Sequence, residues 1–151
     1  MDKEELNLAQ NYVNEMEQQI AQLPPSQQSV IFRKCAINCV SHGVLPFLKA
    51  RYEKCEGNMD SFFSEQEDSE YSFQRVIEPG RIYEMGYPKC LCFMYNMGFT
   101  KSEVHCECSR QSILFVLHEL FPDNDFEVKT IGTVLGGFDK CTFRITVKNK
   151  K

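Results

Sequence analysis

The hydrophobic period of the sequence changes along the chain, and this change restricts the fold to classes that combine helices with a sheet. Residues 2–22 place apolar side chains three and four positions apart, the spacing of an amphipathic helix. Residues 125–134 and 140–148 instead alternate apolar and polar side chains, the pattern of half-buried strands. The chain is therefore predicted to be an α+β protein with N-terminal helices packed on an antiparallel sheet.

Three helices and one shorter helix are predicted in the N-terminal half. The first helix ends at the segment LPPS, because proline supplies no amide to continue a helix. Ser26 is expected to cap a second helix that ends at Gly43, and residues 44–55 are expected to form a third. A short helix around residues 59–65 is expected within a stretch of loop-forming residues.

The C-terminal half is predicted to follow the order β-β-α-β-β. Residues 82–95 and 102–109 are rich in β-forming side chains and flank the turn-like segment NMGFTK, so they are expected to pair as antiparallel strands. Ser109 is expected to cap a helix over residues 110–121. The last two strands are joined by the glycine-bearing turn LGGFD.

Length and charge narrow the classes of function. A chain of 151 residues can bury a core without disulfides, and we expect a single domain over 1–151, with a mainly helical part at 1–66 and a cysteine-rich β-β-α-β-β part at 80–148. The net charge of −4 and the scattered basic residues argue against nucleic-acid binding. An acidic N-terminus and the lack of a long apolar run predict a cytoplasmic protein without a membrane segment.

Two C-x-C pairs hold half of the eight cysteines, Cys90 with Cys92 and Cys106 with Cys108. In a reducing compartment, spaced cysteines favour metal or thiol chemistry over disulfides. Residues two apart on a strand share one face, so the four sulfurs can converge if the two strands pair in register. The pattern predicts a zinc site that is structural or holds a ligand, because four thiolates leave no open position for catalysis. Cysteine as a small buried apolar residue is the alternative.

A second cysteine pair lies in the predicted second helix. Cys35 and Cys39 are four residues apart and share one helical face, with His42 a further turn along. The pair could complete a metal site made by the C-x-C segments. The alternative is a helix face that packs into the core.

An enzyme that uses a cysteine nucleophile is the alternative from a different class. Cys106 or Cys108 would lie beside the start of a helix, where a thiol has a lowered pKa and alkylates fast. On a strand, His105 would point away from both of them, and His118 lies among apolar positions, so neither histidine is expected to act as base or metal ligand. A dimerisation module is a third possibility, which sizing in solution would test.

The last seventy or so residues resemble an uncharacterised bacterial and archaeal family. The shared pattern is a C-x-C, a C-x-C-S that opens a helix, and a terminal hairpin in which Gly137 and Cys141 precede Phe143. Members of that family also tend to carry a cysteine pair in their N-terminal helices, which Cys35 and Cys39 match. The resemblance implies that these cysteines act together.

The closing Gly-x3-Cys-x-Phe pattern is also similar to that of 4-vinyl-reductase-like domains. Those domains bind small molecules and share a fold with NO-signalling haem domains and Golgi-transport tethering subunits. In some sensor relatives a glutamate and three cysteines near the hairpin hold a structural zinc. Here Cys141 matches the last of those ligands, while Thr130 and Thr133 occupy two of the other positions, so a metal would use the C-x-C pairs with Cys141 or the helical pair.

The resemblance and the residues together predict a cytoplasmic small-molecule-binding or sensory domain. Its ligand is expected between the helices and the sheet, the usual site for such a fold. The aromatic residues expected to line that pocket, or else to pack in the core, are Phe32, Phe47, Tyr52, Phe93 and Phe115.

Overall fold

A computed structural model describes residues 1–64 and 69–150, without the side chains of residues 149 and 150. Within these residues it has six α-helices, one short 3-10 helix and a four-stranded sheet, which confirms the α+β class. Glu65, the last residue expected in the short fourth helix, lies outside the described residues. The elements are α1 (Lys3–Ile20), α2 (Pro25–His42), α3 (Val44–Lys54), α4 (Met59–Ser64), β1 (Phe73–Glu78), β2 (Ile82–Tyr87), α5 (Phe93–Asn96), the 3-10 helix (Glu103–Cys106), α6 (Glu107–Leu120), β3 (Asn124–Gly132) and β4 (Cys141–Lys150).

The four strands form one antiparallel sheet in the order β1-β2-β4-β3. Two hairpins build it, one from β1 and β2 and one from β3 and β4, and their inner strands pair with Tyr87 opposite Cys141. The chain crosses between the hairpins through α5, the 3-10 helix and α6. The start of β4 therefore meets the end of β2, where the connection begins.

The prediction that residues 82–95 and 102–109 pair as strands is wrong. The ladder of β2 ends at Tyr87, because Pro88 has no amide to donate to a neighbouring strand. Ser102 starts the 3-10 helix, since its side chain accepts a hydrogen bond from the Val104 amide. The partner of β2 in the first hairpin is instead β1, which occupies a stretch expected to form loops.

Two helix starts also differ from the sequence prediction. α2 begins at Pro25, one residue before the expected cap Ser26, because the fixed backbone angle of proline suits a first helical position. Ser109 lies inside α6, which continues directly from the 3-10 helix. At the N-terminus, Asp2 and Glu5 form a capping box that starts α1.

The core lies between one face of the sheet and the helices that cover it. Tyr83 from β2 and Phe143 and Ile145 from β4 are fully buried on that face, and they alternate along their strands as the pleat requires. From the helical side, α6 and α4 place Leu117 and Phe63 against them. No helix in the described part of the chain is long and apolar enough to cross a membrane.

Candidate functional site

A cavity of about 230 Å³ lies between the helices and the end of the sheet where β2 and β4 pair. Most of its lining is apolar, with α3 and α4 supplying Leu48 and Phe62, α6 supplying Ile113 and β4 supplying Phe143. No Lys, Arg, Asp or Glu of the described residues is part of this lining. Six cysteines also line it, namely Cys39, Cys90, Cys92, Cys106, Cys108 and Cys141.

The six cysteines reach the cavity from the ends of separate elements and not from two paired strands. Cys39 lies near the end of α2, and Cys90 and Cys92 lie in the loop between β2 and α5. Cys106 ends the 3-10 helix, Cys108 lies in the first turn of α6, and Cys141 begins β4. The structure thus brings together six of the seven predicted cysteines, by a different geometry from the one expected.

Two cysteines stand apart from the cavity. Cys35 is exposed on α2 and does not line it, although it is one helical turn from Cys39. Cys55 is buried in the core near the end of α3. All eight cysteines are free thiols, in line with the preference for thiols over disulfides.

The aromatic residues of the cavity differ from the predicted ones. Of the five proposed, Phe93 lines the cavity, whereas Phe47 is exposed. Phe32 packs edge-on against the ring of His105 at 5.5 Å, and Tyr52 packs against a core phenylalanine. The other aromatic side chains of the lining are Phe62, Tyr87 and Phe143.

The cavity cysteines do not form a ready-made metal site. Among residues 1–64 and 69–150, no three His, Cys, Asp or Glu side chains are placed as ligands of one ion. Burial raises the pKa of Cys106 to about 11 and that of Cys108 to about 12, whereas zinc binds thiolates. Zinc stays a prediction, which metal analysis of protein purified under reducing conditions tests.

The raised pKa values also bear on the predicted nucleophile. A reactive cysteine at Cys106 or Cys108 would need a pKa below the ordinary value of a thiol. Burial instead raises the pKa of both thiols. Burial raises the pKa of Cys39, Cys90 and Cys141 as well. At neutral pH the values for Cys106 and Cys108 favour the neutral thiol.

One cysteine, Cys92, differs from the others of the lining, because its pKa is lowered. Its side chain and that of His105 both line the cavity. Nδ1 of His105 lies 2.6 Å from Oε1 of Glu17, a buried carboxylate on α1. The other carboxylate oxygen of Glu17 accepts a hydrogen bond from the buried hydroxyl of Thr100.

These contacts explain the ionisation of the pair. Burial alone would lower the pKa of His105, but its hydrogen bonds with Cys92 and Glu17 raise it to about 9. Burial alone would raise the pKa of Cys92, yet the hydrogen bond with His105, the Tyr95 amide and the imidazolium charge together lower it. The pKa of Cys92 and that of His105 are therefore shifted in opposite directions.

On the predicted strand, His105 would have pointed away from the cysteines, so its position at the cavity wall and its contact with Glu17 were not expected. In the 3-10 helix the side chains no longer alternate between two faces, and His105 reaches both the cavity and α1. A sequence signal existed in Glu17, which interrupts the apolar stripe of α1 between Val13 and Ile20. A carboxylate in such a position is rarely buried without a partner.

We expect the protein to lose stability as the pH rises from about 6.5 to about 9, in part through His105. The pKa of His105 in the folded protein lies above the value of about 6.5 for histidine in the unfolded chain. The stability that His105 contributes is therefore complete below about pH 6.5 and is lost as the pH rises through about 9. Urea unfolding across this range should show a shallower decline for His105→Gln than for the wild type. Equal slopes for the two proteins would contradict the assignment.

Comparisons with known proteins give one structural likeness. No protein-family model matches the chain, and no curated protein matches it. Among solved structures, the chain is similar to a trafficking protein particle complex subunit 3 from Naegleria fowleri, covalently bound to palmitic acid, with 11% identity, a TM-score of 0.43 and coverage of 99% of this chain and 98% of that chain.

The fold and the cavity define the chain as an α+β protein whose helices and sheet enclose a largely apolar space bordered by thiols. Within that class its particular feature is the contact of His105, at the wall of the cavity, with the buried Glu17 of α1.

Proposed function

We propose that this chain is a small-molecule-binding or sensory domain whose ligand occupies the cysteine-lined cavity. The observation that carries the proposal is the cavity itself, about 230 Å³ of mostly apolar space bordered by six thiols. Well-packed interiors leave few voids larger than a water molecule. A space of this size therefore favours an occupant, and its lining favours an uncharged one.

The volume limits the size of that ligand. An apolar cavity of about 150 Å³ is enough to hold benzene, and pockets for drug-sized ligands start at about 300 Å³. The cavity here lies between these values. A compound of roughly ten non-hydrogen atoms fits this range.

The route into the cavity is suggested by side chains that are both exposed and part of the lining. Val44, Leu91 and Phe93 are 52%, 40% and 58% exposed and all three border the cavity. Leu91 lies in the loop before α5 and Phe93 is the first residue of α5, on either side of Cys92. Apolar side chains at such an opening favour the entry of an apolar compound.

Small aromatic probes test the proposal. We expect benzene, indole or naphthalene to raise the melting temperature and to shift NMR signals of cavity residues, because ligands that bind only the folded state stabilise it. The variant Ser112→Phe places a ring in the cavity and should weaken binding by about tenfold or more. Native mass spectrometry of freshly purified protein should also reveal a co-purified compound.

A matched substitution controls for effects of the added ring. Ser41 is exposed at the end of α2 and is not part of the lining, so Ser41→Phe should bind the probes as the wild type does. The proposal is contradicted if no probe stabilises the folded wild-type protein, or if both variants bind equally well.

A further inference from the structure

We propose that the hydroxyl of Tyr87 donates a hydrogen bond to the ligand, so that the cavity selects small uncharged compounds with a carbonyl oxygen over hydrocarbons of the same shape. This inference rests on the proposed ligand binding and names the class of ligand. The observation behind it is a tyrosine hydroxyl at the cavity wall that has no hydrogen-bond partner in the described part of the chain.

The pleat of β2 turns Tyr87 towards the cavity. Side chains two positions apart on a strand share one face, and Tyr83, Met85 and Tyr87 follow one another on the face that carries the core. Met85 and Tyr87 both line the cavity. The hydroxyl is the atom of a tyrosine side chain that lies farthest from the backbone, so it extends away from the sheet into the space below the helices.

The ring of Tyr87 is fixed by its neighbours in the sheet. Tyr87 pairs with Cys141 of β4, and its ring packs edge-on against the ring of Phe143 at a centroid distance of 6.4 Å. A tyrosine side chain has few rotatable bonds, so little entropy is lost when its hydroxyl is positioned. The donor is thus in place before a ligand enters, which favours selectivity without a large ordering cost.

A second tyrosine of the same strand shows what a hydroxyl in this layer requires. The hydroxyl of Tyr83, which is fully buried, donates a hydrogen bond to Oδ1 of Asp60 at 2.6 Å. Tyrosine hydroxyls that leave water usually find such a partner, because an unmet donor destabilises the folded state. Tyr87 has none among residues 1–64 and 69–150, so the ligand is the group that supplies it.

The chemistry of the hydroxyl and its surroundings favours an acceptor on the ligand. Burial is the main cause of a pKa of about 12 for Tyr87, which indicates that the hydroxyl itself, and not the ring alone, is removed from bulk water. A neutral phenol carries a proton to donate, and the sulfurs that border the cavity are weak acceptors. An oxygen lone pair of the ligand is a stronger partner than any of these sulfurs.

The rest of the lining disfavours charged ligands. No Lys, Arg, Asp or Glu of the described residues belongs to it, and His105 is already engaged by Glu17. A carboxylate or an amine would lose its hydration there without gaining a counter-charge. A ketone, aldehyde or ester offers an acceptor to Tyr87 and apolar groups to Phe62 and Phe143, so an uncharged carbonyl compound suits the cavity.

Two probes that differ at one group test this selection. Acetophenone carries a carbonyl oxygen, whereas α-methylstyrene has a CH2 group in its place and nearly the same shape. We expect Tyr87→Phe to raise the Kd of acetophenone by about tenfold and to leave that of α-methylstyrene within about twofold of the wild-type value. Each probe is compared between the two proteins, so the different hydration of the probes cancels.

Further measurements make the result specific to this hydroxyl. Tyr12 is 68% exposed on α1 and does not line the cavity, so Tyr12→Phe should leave both Kd values unchanged. The carbonyl stretch of bound acetophenone should lie at lower frequency in the wild type than in Tyr87→Phe, because a hydrogen bond weakens the C=O bond. Infrared difference spectra with isotope-labelled acetophenone measure this shift, and binding of α-methylstyrene shows that Tyr87→Phe is folded.

The outcomes distinguish this inference from the proposed function. A loss of affinity confined to acetophenone, together with the carbonyl shift, supports the inference. If α-methylstyrene binds the wild type but Tyr87→Phe weakens neither probe, or both equally, the cavity holds ligands and the role of Tyr87 is overturned. If neither probe binds the wild-type protein, the cavity proposal fails and the selection fails with it.

Discussion

Replacing Gly86 with alanine should lower the free energy of unfolding by about 3 kcal/mol or more. Gly86 lies in β2 between β1 and β4, and a Cβ atom there would be 1.9 Å from the carbonyl oxygen of Cys141 and 2.7 Å from the ring of Phe73. The first of these atoms belongs to the backbone, so the clash cannot be relieved by a side-chain rotation. The strands must separate at the point where Cys141 borders the cavity.

Urea unfolding followed by circular dichroism measures this effect. Gly43 provides the matched control, because a Cβ atom there would meet nothing closer than 3.8 Å. We expect Gly43→Ala to change the free energy of unfolding by less than about 1 kcal/mol. If Gly86→Ala were as stable as Gly43→Ala, β2 and β4 could not approach as closely as the structure shows.

Replacing Phe63 with alanine should cost about 3–5 kcal/mol of stability. Phe63 is 0% exposed, stacks on the ring of Tyr83 at a centroid distance of 4.4 Å, and meets Phe62 edge-on at 5.3 Å. Truncation removes these contacts and leaves a cavity that the surrounding sheet and helices cannot fill. Since Phe62 borders the ligand cavity, binding of indole should weaken as well.

Phe47 allows the same substitution at an exposed site. It is 59% exposed on α3 and does not line the cavity, so Phe47→Ala should change stability by no more than about 0.5 kcal/mol. The same urea experiment measures both variants. A loss of similar size in the two proteins would contradict the burial of Phe63 in the core.

Hydrophobic period predicted the elements that are long and packed on one side. α1, α3, α6 and the last two strands lie close to their predicted positions. The period of α3, α6 and the strands reflects the face that each buries, whereas the one buried residue of α1 is Glu17. The first hairpin was misplaced. β1 follows a charged, serine-rich stretch whose composition is typical of a loop. Its residues form a strand because they pair with β2, a contact that its own sequence does not indicate.

The cysteine segments show why local patterns can mislead. C-x-C alternation suits a strand, but Pro88 and Ser102 act on the backbone nearby, ending one strand and starting a helix. The sulfurs still reach one cavity, because loops and element ends from distant parts of the chain meet there.

The sequence by itself determined the α+β class, the order of helices and final strands, and the preference for free thiols over disulfides. These properties depend on local period, turn chemistry and composition, which are readable one segment at a time. Tertiary structure alone decided that Glu17 meets His105, across 88 positions of the chain. The reason is physical: a buried carboxylate and an imidazolium stabilise each other only after α1 has packed against the 3-10 helix, and no local pattern records that contact.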